Sequence, residues 1–161
     1  MALIVNGTTI PETNDIVYNG TALTKIVFNG VTVWEKDDSK TLIDVGIYIM
    51  SNGASFDQPG YDEIRVYLQT FDSHFVKVKA QMALIIGDYD PYEVNLTITS
   101  STQDASKTIL VPEDKRVTLS FVVFRDENDA IIGEYEINKY FHELGGPAEI
   151  DEDFTLQVTK A

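Results

Sequence analysis

Apolar and polar residues alternate along most of this chain. "EIRVYL" puts Ile64, Val66 and Leu68 on one face, and "FVKVKAQMAL" sets Val76, Val78, Ala80, Met82 and Leu84 against Lys77, Lys79 and Gln81. "VNLTIT" opposes Val94, Leu96 and Ile98 to Asn95, Thr97 and Thr99. "VTLSFVVF" aligns Val117, Leu119, Phe121 and Val123 against Thr118 and Ser120, and "FTLQV" closes with Phe154, Leu156 and Val158. A period of two marks half-buried antiparallel strands, with one face on a core and one in water.

The intervals carry turn chemistry. The stretches 51–62, 87–92, 100–106, 112–116 and 125–130 are rich in Gly, Pro, Asn, Asp and Ser. These residues tolerate a positive φ or fold their side chains onto the backbone. "FVVFRDENDAIIGEYEI" reads as a hairpin turning at Glu127-Asn128-Asp129. One segment departs from period two. In "EINKYFHELGG", Ile137, Tyr140, Phe141 and Leu144 have helical spacing and Gly145-Gly146-Pro147 supplies a stop, which predicts a short helix near 137–144. Short strands separated by turns predict an all-β fold, an antiparallel β-sandwich of immunoglobulin-like or jelly-roll-like type. The charged run "EKDDSK" (35–40) divides a β-hairpin module at 1–36 from a sandwich domain at 41–161.

The module repeats one phrase three times: an apolar residue, Asn-Gly, a β-former, then apolar again. It occurs in "LIVNGTTI", "IVYNGTAL" and "KIVFNGVTVW", and the last ends on Trp34, the only tryptophan. Asn-Gly supplies the two φ > 0 residues of a type I′ turn. With Thr21–Phe28 serving both later turns, the expected arrangement is a three-stranded meander. So small a sheet is marginal in water and has to pack against the main domain or a partner.

Charge and composition narrow the function. Asp and Glu number 26 against 12 Lys and Arg, a formal net charge of -14. Such a surface repels phosphate backbones, which argues against nucleic acid. There is no cysteine, and hence no thiol nucleophile, disulfide or thiolate metal site. No apolar run reaches the length of a membrane span, and the start shows neither a basic segment nor the longer apolar core of a secretory signal, so no membrane insertion is expected.

Candidate chemistry is sparse. The two histidines, His74 and His142, lie in unrelated contexts, and no metalloprotease, nucleophile-elbow or phosphate-loop motif occurs. The expectation is a non-enzyme without cofactor or metal. Carboxylates at Asp57, Asp62, Glu63, Asp88 and Asp90 have the oxygen chemistry of Ca²⁺ ligands, and Asp126, Asn128 and Asp129 lie in a loop that fails the EF-hand pattern. Ordinary β-turns account for all of them. Tyr61, Tyr89 and Tyr92 flank turns, where exposed rings can stack on sugars, and they are the candidate glycan contacts.

The series Tyr18-Asn19-Gly20-Thr21, a spacer carrying Lys25, then Asn29-Gly30 and Val33-Trp34 resembles a small module of phage and prophage virion structural proteins, often tail-associated ones. The resemblance covers about a fifth of the chain. It implies a virion structural protein, tail-associated or a head decoration, made in a host bacterial cytoplasm. Such a protein docks onto other virion proteins and onto copies of itself through Tyr18, Asn19, Gly20, Lys25, Phe28, Asn29, Gly30, Val33 and Trp34. The alternative is a carbohydrate-binding adhesion module that meets a host-surface glycan.

Overall fold

A computed structural model describes residues 3–10, 16–35, 38–142 and 148–161. Among them the chain forms fourteen strands and no helix. Six short strands make three separate hairpins: β1 (Leu3–Val5) with β2 (Thr8–Ile10), β3 (Ile16–Tyr18) with β4 (Thr21–Leu23), and β5 (Lys25–Phe28) with β6 (Val31–Glu35). Eight longer strands follow: β7 (Lys40–Ala54), β8 (Tyr61–Thr70), β9 (Lys77–Ile86), β10 (Tyr92–Thr99), β11 (Asp104–Pro112), β12 (Val117–Arg125), β13 (Ile131–Phe141) and β14 (Glu149–Thr159).

The eight form two antiparallel four-stranded sheets, ordered β11-β8-β7-β14 and β10-β9-β12-β13. Their inner faces close on one apolar core, so the expected β-sandwich is present. β8 lies between β7 and β11 with β14 added beside β7, while β9 lies between β10 and β12 and β12 pairs with β13, so the chain crosses between the sheets after β8, β10, β11 and β13. One sheet contributes Ile43, Val45, Ile47 and Ile49 from β7 and Ile64, Val66 and Leu68 from β8. The other contributes Val78, Ala80, Met82 and Leu84 from β9 and Val94, Leu96 and Ile98 from β10.

The alternation fails informatively on β12. Leu119 and Phe121 pair with the consecutive residues Leu84 and Ala83 of β9, so Ser120 is an extra residue. On the other side the same interval faces Glu136 and Lys139, so β13 inserts a residue of its own. A bulge of this kind reverses the faces beyond it. Val117 and Leu119 point into the core as expected. After Ser120 the inward residues are Val122 and Phe124, while Phe121 turns to the outer face and Val123 is only half-buried. The expected single face of Val117, Leu119, Phe121 and Val123 is therefore corrected.

The same irregularity accounts for the apparent helix. Residues 137–141 are strand, not helix: Phe141 pairs with Val117 and Tyr140 with Thr118, and Asn138 takes φ 52. The three- and four-residue spacing of Ile137, Tyr140 and Phe141 comes from a bulged strand. Ile137 packs against the core, Phe141 is fully buried, and Tyr140 lies outside with the Arg116 guanidinium 4.2 Å from its ring centre. The expected stop at 145–147 lies outside the described residues. Val76, placed on β9 by the pattern, precedes that strand and is exposed; the buried position there belongs to Phe75, which bridges to Lys160.

Two buried polar residues close loops at one end. Thr70 donates its hydroxyl to the Asp44 carbonyl at 2.6 Å and accepts from the Asp72 N–H at 3.2 Å. Asp126 accepts from the N–H groups of Asn128 at 2.8 Å and Ala130 at 3.0 Å. It thereby folds the 126–130 turn on its own carboxylate, as Asp does in turns.

Candidate functional site

Each hairpin turns on an Asn-Gly pair. Asn6, Asn19 and Asn29 have φ of 50, 50 and 49, and Gly7, Gly20 and Gly30 have φ of 80, 76 and 77. Two successive positive φ values define the type I′ turn that Asn-Gly favours. The residues flanking the later turns pair directly, Tyr18 with Thr21 and Phe28 with Val31. The expected three-stranded meander is not formed. Thr24 interrupts it, leaving β4 and β5 in different two-stranded sheets. Burial supplies the reason. Leu23 and Ile26 are both half-buried and stand three apart, an odd spacing that no single strand can place on one face.

The docking residues named from sequence divide into four groups. Asn19, Gly20, Asn29 and Gly30 are exposed and make the turns. Tyr18 and Phe28 are both 68% exposed, and Val17, Val27, Val31 and Ile4 stand in solvent with them. Lys25 is exposed and Val33 half-buried. Trp34 differs from all of these. It is fully buried opposite Ile26, outside the sandwich core cluster, and its indole N–H has no hydrogen-bond partner among the described residues. Trp34 therefore anchors its hairpin, and the neighbouring apolar side chains form the free surface. That surface carries little charge. Glu12, Asp15 and Glu35 against Lys25 give residues 1–35 a formal charge of -2, within -14 for the whole chain.

The three tyrosines lie at one end of the sandwich but on different elements. Tyr61 begins β8 and is half-buried. Tyr89 stands exposed in the 87–91 turn, where its N–H donates to the Ile86 carbonyl at 3.1 Å. Tyr92 begins β10 on the sheet opposite Tyr61, with the Lys107 ammonium 5.3 Å from its ring centre. Only Tyr92 borders the groove described below; Tyr61 and Tyr89 do not line it.

Sequence reading missed the pairing of His142 with Asp62. The His142 ring sits between the Lys115 carbonyl, 2.8 Å from Nδ1, and the Asp62 carboxylate, 2.5 Å from Nε2. A general base needs a free nitrogen lone pair facing its substrate. Here both nitrogens are engaged, so the pair ties β8, the β11–β12 turn and the end of β13 together. No local signal could have found it, because the partners are separated by 80 positions.

Some carboxylates elsewhere are also paired. Among the described residues no group of three or more His, Cys, Asp or Glu could hold a metal ion. Asp129 pairs with Lys79 at 2.5 Å, and the hydrogen bond and charge of that ammonium hold its carboxyl below the ordinary value. A groove of about 460 Å³ where β13 meets β14 is lined by Glu149, Asp151 and Glu152. Glu152 pairs with Lys139 across the gap between sheets, and Glu149 accepts the Tyr48 hydroxyl proton in a hydrogen bond. That bond holds the Tyr48 hydroxyl above its ordinary value.

Fold and site together define a two-sheet antiparallel β-sandwich preceded by three Asn-Gly hairpins. Comparison with models of protein families, with curated proteins and with solved structures finds no match.

Proposed function

We propose that this chain is a non-enzymatic structural protein of a phage virion, tail-associated in the first place and a head decoration in the second. It docks through its N-terminal hairpins and presents the sandwich outward. The observation that carries this reading is the contrast between the two parts. The hairpins expose Tyr18, Phe28 and Val31, and residues 1–35 hold only four charged residues, whereas 34 of the 126 residues after them are charged, with a net charge of -12. Exposed apolar clusters mark interaction surfaces. Like charge on the sandwiches opposes their packing together, so contacts with other subunits fall to the hairpins. The engaged nitrogens of His142 favour a binding role over catalysis.

Mass spectrometry of gradient-purified particles from the producing host tests the proposal. The chain is expected at a fixed ratio to the known tail or head proteins. Its recovery only in the particle-free fraction would refute it.

A further inference from the structure

The outer face of β9, β10 and β12 carries a shallow groove of about 190 Å³, lined by Gln81, Ala83, Glu93, Phe121 and Val123 and bordered by Tyr92. It owes its existence to the bulge at Ser120. Were the alternation unbroken, Phe121 would face the core, and Val122 and Phe124 would stand on the outer face in place of Phe121 and Val123. With it, Phe121 is 37% exposed, directly opposite Ala83, and Val123 opposes Gln81. Bulges recur beside functional sites because they re-aim side chains. Here the re-aimed side chain is an aromatic ring.

We propose that this groove binds one pyranose ring of an uncharged glycan. The lining has the two kinds of surface a sugar needs. The Phe121 ring, with the Ala83 and Val123 methyls, offers an apolar wall to the C–H face. Gln81 and Glu93 offer an amide and a carboxylate to the hydroxyls, and Glu93 accepts from the Asn95 side-chain amide at 2.9 Å, which orients it. The volume suits one ring and is below that of ordinary drug-sized pockets. Glu93 is the only formally charged residue in the lining, so phosphate, uronate and other anionic ligands are disfavoured. The groove lies on the sandwich, apart from the hairpins, and the inference stands independently of the virion reading.

The test uses the full chain with methyl glucoside, methyl galactoside and methyl N-acetylglucosaminide, each in both anomers, with glucuronate as the anionic control. Binding is read by saturation-transfer NMR and by the Ala83 and Val123 methyl resonances. At least one neutral pyranoside is expected to receive saturation and to shift those methyls. Phe121→Ala and Gln81→Ala should each weaken that binding at least tenfold, while Tyr89→Ala and Phe28→Ser leave it unchanged. Transfer to none of the pyranosides would overturn the proposal, as would equal binding by Phe121→Ala and the unaltered chain. Methyl shifts that follow protein concentration rather than sugar would also overturn it, by assigning the groove to contact between copies. Failure here leaves particle association untouched, and loss of particle association leaves sugar binding untouched.

Discussion

Alternation read straight through "VTLSFVVF" buries Phe121 and exposes Phe124; the bulge at Ser120 reverses both. Truncating each ring in turn separates the two arrangements. Phe124 is fully buried, with ring centres 5.9 Å from Tyr135 and 5.0 Å from Phe154. Phe124→Ala removes a core ring and leaves a cavity among rigid neighbours, which costs about 3–5 kcal/mol. Phe121 lies on an outer face that water already reaches, and its loss leaves no enclosed cavity, so Phe121→Ala costs about 1 kcal/mol. Urea unfolding followed by far-UV circular dichroism reads the difference. With a slope of about 2 kcal/mol per molar urea, the midpoint falls by about 2 M for Phe124→Ala and about 0.5 M for Phe121→Ala. Equal shifts, or a larger shift for Phe121→Ala, would show that the strand is not bulged and that the groove beside Phe121 does not exist.

Three further outcomes follow from local geometry. A Cβ at Gly133 would stand 2.8 Å from Tyr135 Cε2 and 3.0 Å from Leu156 Cδ2, so Gly133→Ala should destabilise by about 1–3 kcal/mol in the same urea assay. A neutral result would mean that the Tyr135 ring is free to move. His142→Ala and Asp62→Ala, combined in a double-mutant cycle, should show a coupling of about 1–2 kcal/mol; additive losses would mean the pair does not form. Lys79 lowers the folded-state value of Asp129, so the stability from this pair is complete above the ordinary carboxylate value and is lost as pH falls through the lowered one. Asp129→Asn should therefore melt below the unaltered chain at neutral pH and converge with it in strong acid. A gap that widened on acidification would contradict the assignment.

The sandwich was readable wherever strands keep one face buried throughout, as β8, β9 and β10 do. The readable signal ended where an extra residue changed the faces. Ser120 carries no mark of a bulge, and its partner irregularity at Asn138 made Ile137, Tyr140 and Phe141 look helical. The Asn-Gly turns were legible to the level of backbone angle, because the positive φ values they need are local. Whether Thr21–Phe28 ran as one strand was not, since that depends on which of Leu23 and Ile26 is covered by the fold. The burial of Trp34 was not legible for the same reason: a lone tryptophan ending a hairpin reads as an anchor or as a contact until its exposure is known. His142 and Asp62 meet only through the topology that brings the ends of β8 and β13 together.

The docking claim rests on side chains whose removal leaves the fold intact. Tyr18→Ser with Phe28→Ser changes two exposed rings beside the turns and keeps both Trp34 and the sandwich core residues as they are. The decisive measurement is the fraction of this double variant that sediments with assembled particles in the producing host, compared with the unaltered chain at equal expression and equal thermal stability. The account predicts that particle association falls at least tenfold while the variant accumulates as folded, free protein. Undiminished association would contradict it and move the docking surface off the hairpins.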